Sequence, residues 1–130
     1  MILRHAALTC SSEKNSDKFY KILLGLEKSE PKTLPRVLSK AIFSVDSDLQ
    51  IINYQDEYIH FEIFISSHSM SAVGQIEHVC LEADDLQGFL KKCRNLGVEV
   101  SQIPKGDRTL TFIRDYDGNL FEIKHKQAKE

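Results

Sequence analysis

Apolar and polar residues alternate along some stretches of this 130-residue chain and recur at helical spacing along others, so strands and helices can be told apart by period. Residues 2–10 mix apolar and β-branched types as a strand does, and Ser11, Ser12 and Glu13 read as a helix start. Phe19, Ile22, Leu23 and Leu26 then follow helical spacing, with Gly25 placed to end the helix in the left-handed conformation. The second half repeats this plan. Residues 75–83 read as a strand, Asp85 as a cap, and Leu86, Phe89, Leu90, Cys93 and Leu96 as the apolar stripe of a helix that Gly97 stops.

Extended segments follow each helix. In the second half they fall at 98–103, 109–114 and 119–125, and Asp115-Tyr116-Asp117-Gly118 predicts a hairpin turn between the last two. In the first half, 50–54 and 58–66 fill the same role around a turn at Gln55, Asp56 and Glu57. The region between is less regular: Leu34, Val37, Leu38, Ala41 and Ile42 favour a short helix at a place where a strand would complete the symmetry, so 33–43 stays open to either.

Two halves of about sixty residues, each running strand, helix and extended segments, suggest duplication of one unit. The parallel extends to residues. Arg4-His5-Ala6-Ala7-Leu8 matches Glu77-His78-Val79-Cys80-Leu81, and Phe61-Glu62-Ile63 matches Phe121-Glu122-Ile123. Side chains alternate across a strand, so Phe61, Ile63 and Ile65 share the face opposite Glu62, while Phe121 and Ile123 lie opposite Glu122. Ala6, Leu8 and Cys10 likewise oppose His5, and Val79, Leu81 and Ala83 oppose His78. If the amphipathic helices cover these apolar rows, His5, Glu62, His78 and Glu122 point to the other, concave side of a curved sheet.

A carboxylate inside so apolar a strand costs roughly several kcal/mol unless it is paired or coordinated. Two neutral imidazoles and two carboxylates balance a divalent ion and suit zinc, nickel, cobalt, manganese or iron. Other polar residues are open to two readings each. His60 shares parity with Glu62 and reads as a spare ligand, a substrate contact or an exposed strand residue. Cys80 shares parity with His78 and reads as a contact to the metal or substrate or, as its expected state, as small and buried. His68 and His125 read as loop and terminal residues, and Arg36 and Arg114 as solvated side chains or as partners for a substrate carboxylate.

Composition narrows the class. Hydrophobic content of 42% with 28% charged residues fits an ordinary folded protein, and a net charge of -2 gives no footprint for nucleic acid. The largest basic cluster, Lys124, Lys126 and Lys129, reads as a solvated end. No apolar stretch has the length of a signal peptide or membrane span, which predicts a cytoplasmic protein without a membrane partner. Three cysteines without metal-type spacing argue against a disulfide framework and read as reduced, small core residues.

The segment Phe112-Ile113-Arg114-Asp115-Tyr116-Asp117-Gly118-Asn119-Leu120-Phe121-Glu122-Ile123 resembles the F-x-x-D-P-D-G-N-x-x-E-I ending of the glyoxalase, or vicinal oxygen chelate, superfamily, with Tyr116 in the usual proline place. Ile76 to Leu86 continuing to Leu96-Gly97-Val98-Glu99-Val100 gives a second match, and His5 through Phe19-Tyr20 to Leu24-Gly25-Leu26-Glu27 a third. The resemblance leaves only 29–49 without a clear counterpart. It implies an α+β fold of paired βαβββ modules, about 1–68 and 74–127, forming a curved, open barrel-like mixed sheet with helices on the outer face. It implies one vicinal oxygen chelate domain over 1–130 and a homodimer, with the modules pairing within a chain or between chains.

By the same resemblance His5, Glu62, His78 and Glu122 carry over as metal ligands, an order most like bacterial glyoxalase I, although 32–48 does not look like that enzyme's glutathione-contacting region. The implied activity is that of a metal-dependent lyase or isomerase acting on a small substrate through a metal-stabilised enediolate. Glu122 is the expected catalytic base and Glu62 the symmetric alternative. Competing expectations are a thioester epimerase of the same superfamily and a non-catalytic small-molecule binding protein with this fold.

Overall fold

Strict alternation and abrupt turn chemistry set the elements. The computed structural model describes residues 3–66 and 76–126, and the chain divides into the units Met1–Ser69 and Met70–Glu130. His68, Gln75 and Lys129 lie outside the described residues.

The second unit follows the expected βαβββ order. It comprises β6 (His78–Ala83), α3 (Leu86–Asn95), β7 (Glu99–Lys105), β8 (Arg108–Arg114) and β9 (Leu120–His125), in a mixed sheet ordered β6-β9-β8-β7. Asp85 caps α3 by accepting from the Gly88 amide at 3.1 Å, and Gly97 ends the helical region at φ 70°. Leu90 and Cys93 are the buried residues of α3. Phe121, Ile123 and Ile113 are buried on the strands.

The first unit carries an insertion. After β1 (Ala6–Cys10), α1 (Glu13–Ser16) is capped by Ser12 and runs directly into a π-helical segment, Asp17–Leu23. There Leu24 N donates to Phe19 O five residues back, and the wider turn leaves Phe19, Tyr20 and Leu23 all buried. What would be one strand is then broken in two, β2 (Glu27–Lys28) and β3 (Lys32–Leu34), both antiparallel to β4 (Leu49–Gln55). Pro31 stands at the break, where its missing N–H interrupts a ladder at little cost. α2 (Arg36–Phe43) follows, and β5 (His60–Ile65) completes a mixed sheet ordered β1-β5-β4-β2, with β3 on the flank of β4.

Residues 33–43 therefore supply both a strand end and a helix. Leu34 belongs to β3, and the apolar stripe of α2 does not enter the core: Val37 is 78% and Ile42 61% exposed, while Ser39 is buried against the Leu34 carbonyl. Strand β1 also begins later than the sequence pattern predicts, at Ala6, so His5 sits just before it.

A polar clasp ties the first helical region to its sheet. Lys28 Nζ donates to Glu13 and, at 3.1 Å, to Asp17, whose other oxygen accepts from the buried Tyr54 hydroxyl at 2.8 Å. The Glu13 hydrogen bond foremost, with help from Asp17, pushes the Lys28 ammonium up against the opposing effect of burial. Burial foremost, then the bond to Asp17, pushes the Tyr54 phenol up as well. Both groups hold protons in the folded state that the unfolded chain releases near pH 10. Their contribution is therefore present below about pH 10 and lost as pH rises further. The urea midpoint should fall more steeply above pH 10 than between pH 7 and 9, and Tyr54→Phe should reduce that slope; an unchanged slope would refute the assignment.

Candidate metal centre

Parallel pairing of the first and last strand in each unit fixes where the four residues lie. In the first unit Ala7 of β1 stands opposite Glu62 of β5, and in the second Cys80 of β6 stands opposite Glu122 of β9. His5 precedes Ala7 by two residues and His78 precedes Cys80 by two, so each unit offers its His one same-face step from the level of its Glu. The neighbours of each Glu are buried, Phe61 and Ile63 in one case and Phe121 and Ile123 in the other. Tyr20 from the helical segment rests on Phe61 with ring centroids 5.5 Å apart, so Glu62 projects away from that helix.

In the first unit the pair is already in contact, with His5 Nε2 3.8 Å from Glu62 Oε2. His60 joins them. Its ring centroid is 5.4 Å from that of His5, and its Nε2 lies 2.7 Å from Asn53 Oδ1. Asn53 is the residue opposite Glu62 in the β4–β5 register, which puts His5, Asn53, His60 and Glu62 on one face. His60 is thus a half-buried member of this cluster rather than an exposed strand residue.

In the second unit His78 Nδ1 lies 2.8 Å from the Ile76 carbonyl. The carbonyl can only accept, so Nδ1 donates in that contact and Nε2 is the nitrogen that a metal would meet, the arrangement of a metal-ligating imidazole. The edge of His78 meets Phe112, which stands opposite Glu122 in the β8–β9 register. Cys80 Sγ donates to Glu122 Oε1 at 3.7 Å. Cys80 is exposed, against the expectation of a buried core thiol, because it shares the strand face of His78 and Glu122 rather than that of the helix. Cys10 and Cys93 are buried as expected, and burial pushes the Cys93 thiol up to about 11.

The turn before β9 aims Glu122. Buried Asp115 accepts from the amides of Asp117 at 3.0 Å and Asn119 at 2.8 Å, and from the Asn119 side chain at 2.7 Å. Gly118 occupies φ 89°, a conformation open to glycine at little cost. Beyond Glu122 the sheet opens into a cavity of about 470 Å³ that has Glu122 on its wall.

Three other sequence candidates have partners of their own, and of these His125 also lines the cavity beside Glu122. Arg36 is held by Asp46 at the start of α2, Arg114 donates to Gly118 O and faces Glu99 at 3.6 Å, and His125 contacts the Asp84 carbonyl. Asn53 and Phe112 had no place among the sequence candidates. Their strand parity was readable, but the register that sets them opposite the two glutamates was not.

A βαβββ unit with a His and a Glu on the sheet face turned from its helix, present twice over, defines the class of paired-module α+β proteins. The chain belongs to the Glyoxalase/Bleomycin resistance protein/Dioxygenase superfamily, whose sequence profile matches residues 2–123. No curated protein matches the chain. Among solved structures it is similar to a glyoxalase family protein from Enterococcus faecalis, at 18% identity and a TM-score of 0.72, covering 94% of this chain and 95% of that one. It is also similar to the fosfomycin resistance protein FosX from Mesorhizobium loti, at 14% identity and TM-score 0.70 over 98% and 94% of the two chains. A variant of FosX from Listeria monocytogenes, solved with Mn(II) and 1S,2S-dihydroxypropylphosphonic acid, gives 17% identity and TM-score 0.72 over 98% and 95%. No helix among the described residues is long and apolar enough to cross a membrane.

Two outcomes are expected of this geometry. Native protein should take up one maleimide per chain at Cys80, the remaining thiols reacting only on unfolding; a Cys80→Ser variant that still labels at the native rate would contradict this. Asp115→Ala should lower unfolding stability by about 3 kcal/mol, since it strands amides that a charged acceptor now satisfies. A loss too small to resolve in urea melts would show that the turn does not depend on that carboxylate.

Proposed function

We propose that the two units act as one vicinal oxygen chelate domain spanning 1–130, in which His5, Glu62, His78 and Glu122 serve a single divalent cation and the reaction is a glyoxalase-like isomerisation. The observation that carries the reading is the repeated register, which sets a His at the same offset from a Glu in both units. The donor set fits a cation. His78 keeps Nε2 available through its bond to Ile76, His5 and Glu62 stand within 4 Å of each other at 3.8 Å, and two neutral imidazoles with two carboxylates offset a double positive charge. The Mn(II) bound to the Listeria FosX variant is consistent with the same chemistry in a protein of like fold.

When bound, the cation would supply Lewis-acid stabilisation of negative charge on adjacent substrate oxygens. The chain's own residues do the rest. Glu122 takes the proton from the substrate carbon that bears the hydroxyl and returns it to the neighbouring carbonyl carbon, while the hydroxyl proton passes to the former carbonyl oxygen, so that one C–H and one O–H bond are broken, one of each is formed, and no redox partner is needed. Glu122 suits this role better than Glu62 because it borders an open cavity, whereas Glu62 is crowded by His5, His60 and Asn53. Phe112 beside Glu122 and His78 gives the substrate carbon an apolar flank. We place this enzyme in the cytoplasm as a homodimer, a setting in which its three cysteines stay reduced as the thiols that they are in the structure.

Metal analysis after loading with nickel, cobalt or zinc should give one ion per chain, and His5→Ala and His78→Ala should each abolish it. Two ions per chain, or loss in only one variant, would overturn the shared site. Glu122→Gln should cut turnover of methylglyoxal–thiol adducts by at least a hundredfold. Unchanged turnover would exclude Glu122 as base.

A further inference from the structure

Strands β8 and β9 pair over three positions only, Arg114↔Leu120, Ile113↔Phe121 and Phe112↔Glu122. The β7–β8 hairpin then continues alone to its tip, where Lys105 pairs with Arg108. The gap so opened is the cavity of about 470 Å³ on whose wall Glu122 lies.

Three cations line this gap: Lys105, Arg108 and Lys124. The register puts all three on the strand face of Glu122, because Arg108 and Phe112 share parity on β8 and Glu122 and Lys124 share it on β9. None has an ion-pair partner among the described residues, even though Glu82 stands opposite Lys124 in the β6–β9 register. Lys105 and Arg108 are moreover directly opposite one another across the Gly106-Asp107 turn, a like-charge pairing beside which Asp107 supplies one negative charge. Thr109, Thr111 and Ile123, of the opposite strand parity, and Leu86 of α3 line the other side of the same cavity. Arg108 lies four residues beyond Phe112, about 13 Å along the strand from the level of Glu122, which is room for a small extended molecule.

We propose that this cleft binds the anionic end of the substrate, a carboxylate or phosphoryl group, and holds it toward the hairpin tip while the reacting carbon lies at Glu122. The role of Glu122 rests on the functional reading above, whereas anion capture rests on the cleft alone. The guanidinium of Arg108 can grip two oxygens of such a group at once, and the two ammonium groups supply the remaining charge. An anionic tail fixed in this way would align the substrate carbon with the carboxylate of Glu122 and so convert binding energy into orientation.

The test is amide chemical-shift titration of the full chain with inorganic phosphate in one arm and succinate in the other, each before and after loading with zinc. Saturable shifts centred on the amides of Lys105, Arg108, Thr109 and Lys124 are expected even without zinc, and the arm that saturates at lower concentration names the anion class. The double variant Lys105→Met, Arg108→Met, checked for an unchanged spectrum elsewhere, should weaken binding at least tenfold. Absence of saturation in both arms, or equal affinity in the variant, would overturn the cleft assignment. Binding that needs zinc, is lost in His78→Ala and survives in the double variant would place the anion on the metal, sinking this inference while leaving the metal reading intact. Binding to zinc-free protein that the double variant loses, in a chain that takes up no metal, would do the reverse.

Discussion

Parallel pairing between the first and last strand of a unit is the constraint from which the candidate site follows. Adjacent parallel strands share one pleat, so fixing Ala7 opposite Glu62 and Cys80 opposite Glu122 decides the face of every residue on those strands. The buried Phe and Ile on either side of each Glu make the register costly to slip, since a shift by one residue would turn the carboxylate into the apolar layer. Core packing and ligand placement are therefore one energetic fact. A mutation that loosened Phe61 or Phe121 would disturb Glu62 or Glu122 without touching either.

The two units keep that constraint and differ in what they build around it. In the first, His60 and Asn53 fill the space beside Glu62, and Phe43 of α2 lies against Phe64 on the same strand face, with ring centroids 5.2 Å apart. In the second, the face beside Glu122 carries a thiol, an aromatic edge and an open cavity. The two frameworks repeat one register, and both glutamates are half-buried, but Glu62 has His5, His60 and Asn53 as neighbours whereas Glu122 borders a cavity.

Much of this was legible from residue pattern. Period and caps located α3, the Ser12 cap, the glycine stops at Gly25 and Gly97, and the hairpin at 115–118, because each rests on local chemistry that the chain writes out in order. Strand parity also gave, within each unit, the shared face of His5 with Glu62 and of His78 with Glu122. What stayed hidden depends on pairing between distant segments. The β2–β3 break is a two- and a three-residue strand, too short to show alternation, and α2 carries an apolar stripe that no periodicity could mark as exposed. Cys80 was read as core because small thiols usually are, and only its register beside Glu122 shows why this one is not. The cationic cleft depends on where β8 parts from β9, a matter of strand pairing rather than of composition.

That short β8–β9 junction has a mechanical consequence. Three paired positions are all that tether the β7–β8 hairpin to β9, whereas β9 and β6 are paired over six, from His78↔Leu120 to Ala83↔His125. Strain applied to the hairpin will thus act first at the junction, whose pair nearest the hairpin tip is Phe112↔Glu122, while Glu122 is held on its other side by the longer ladder to β6. The hairpin is the compliant arm of this half, able to yield to an incoming guest while the ligand-bearing ladder stays rigid.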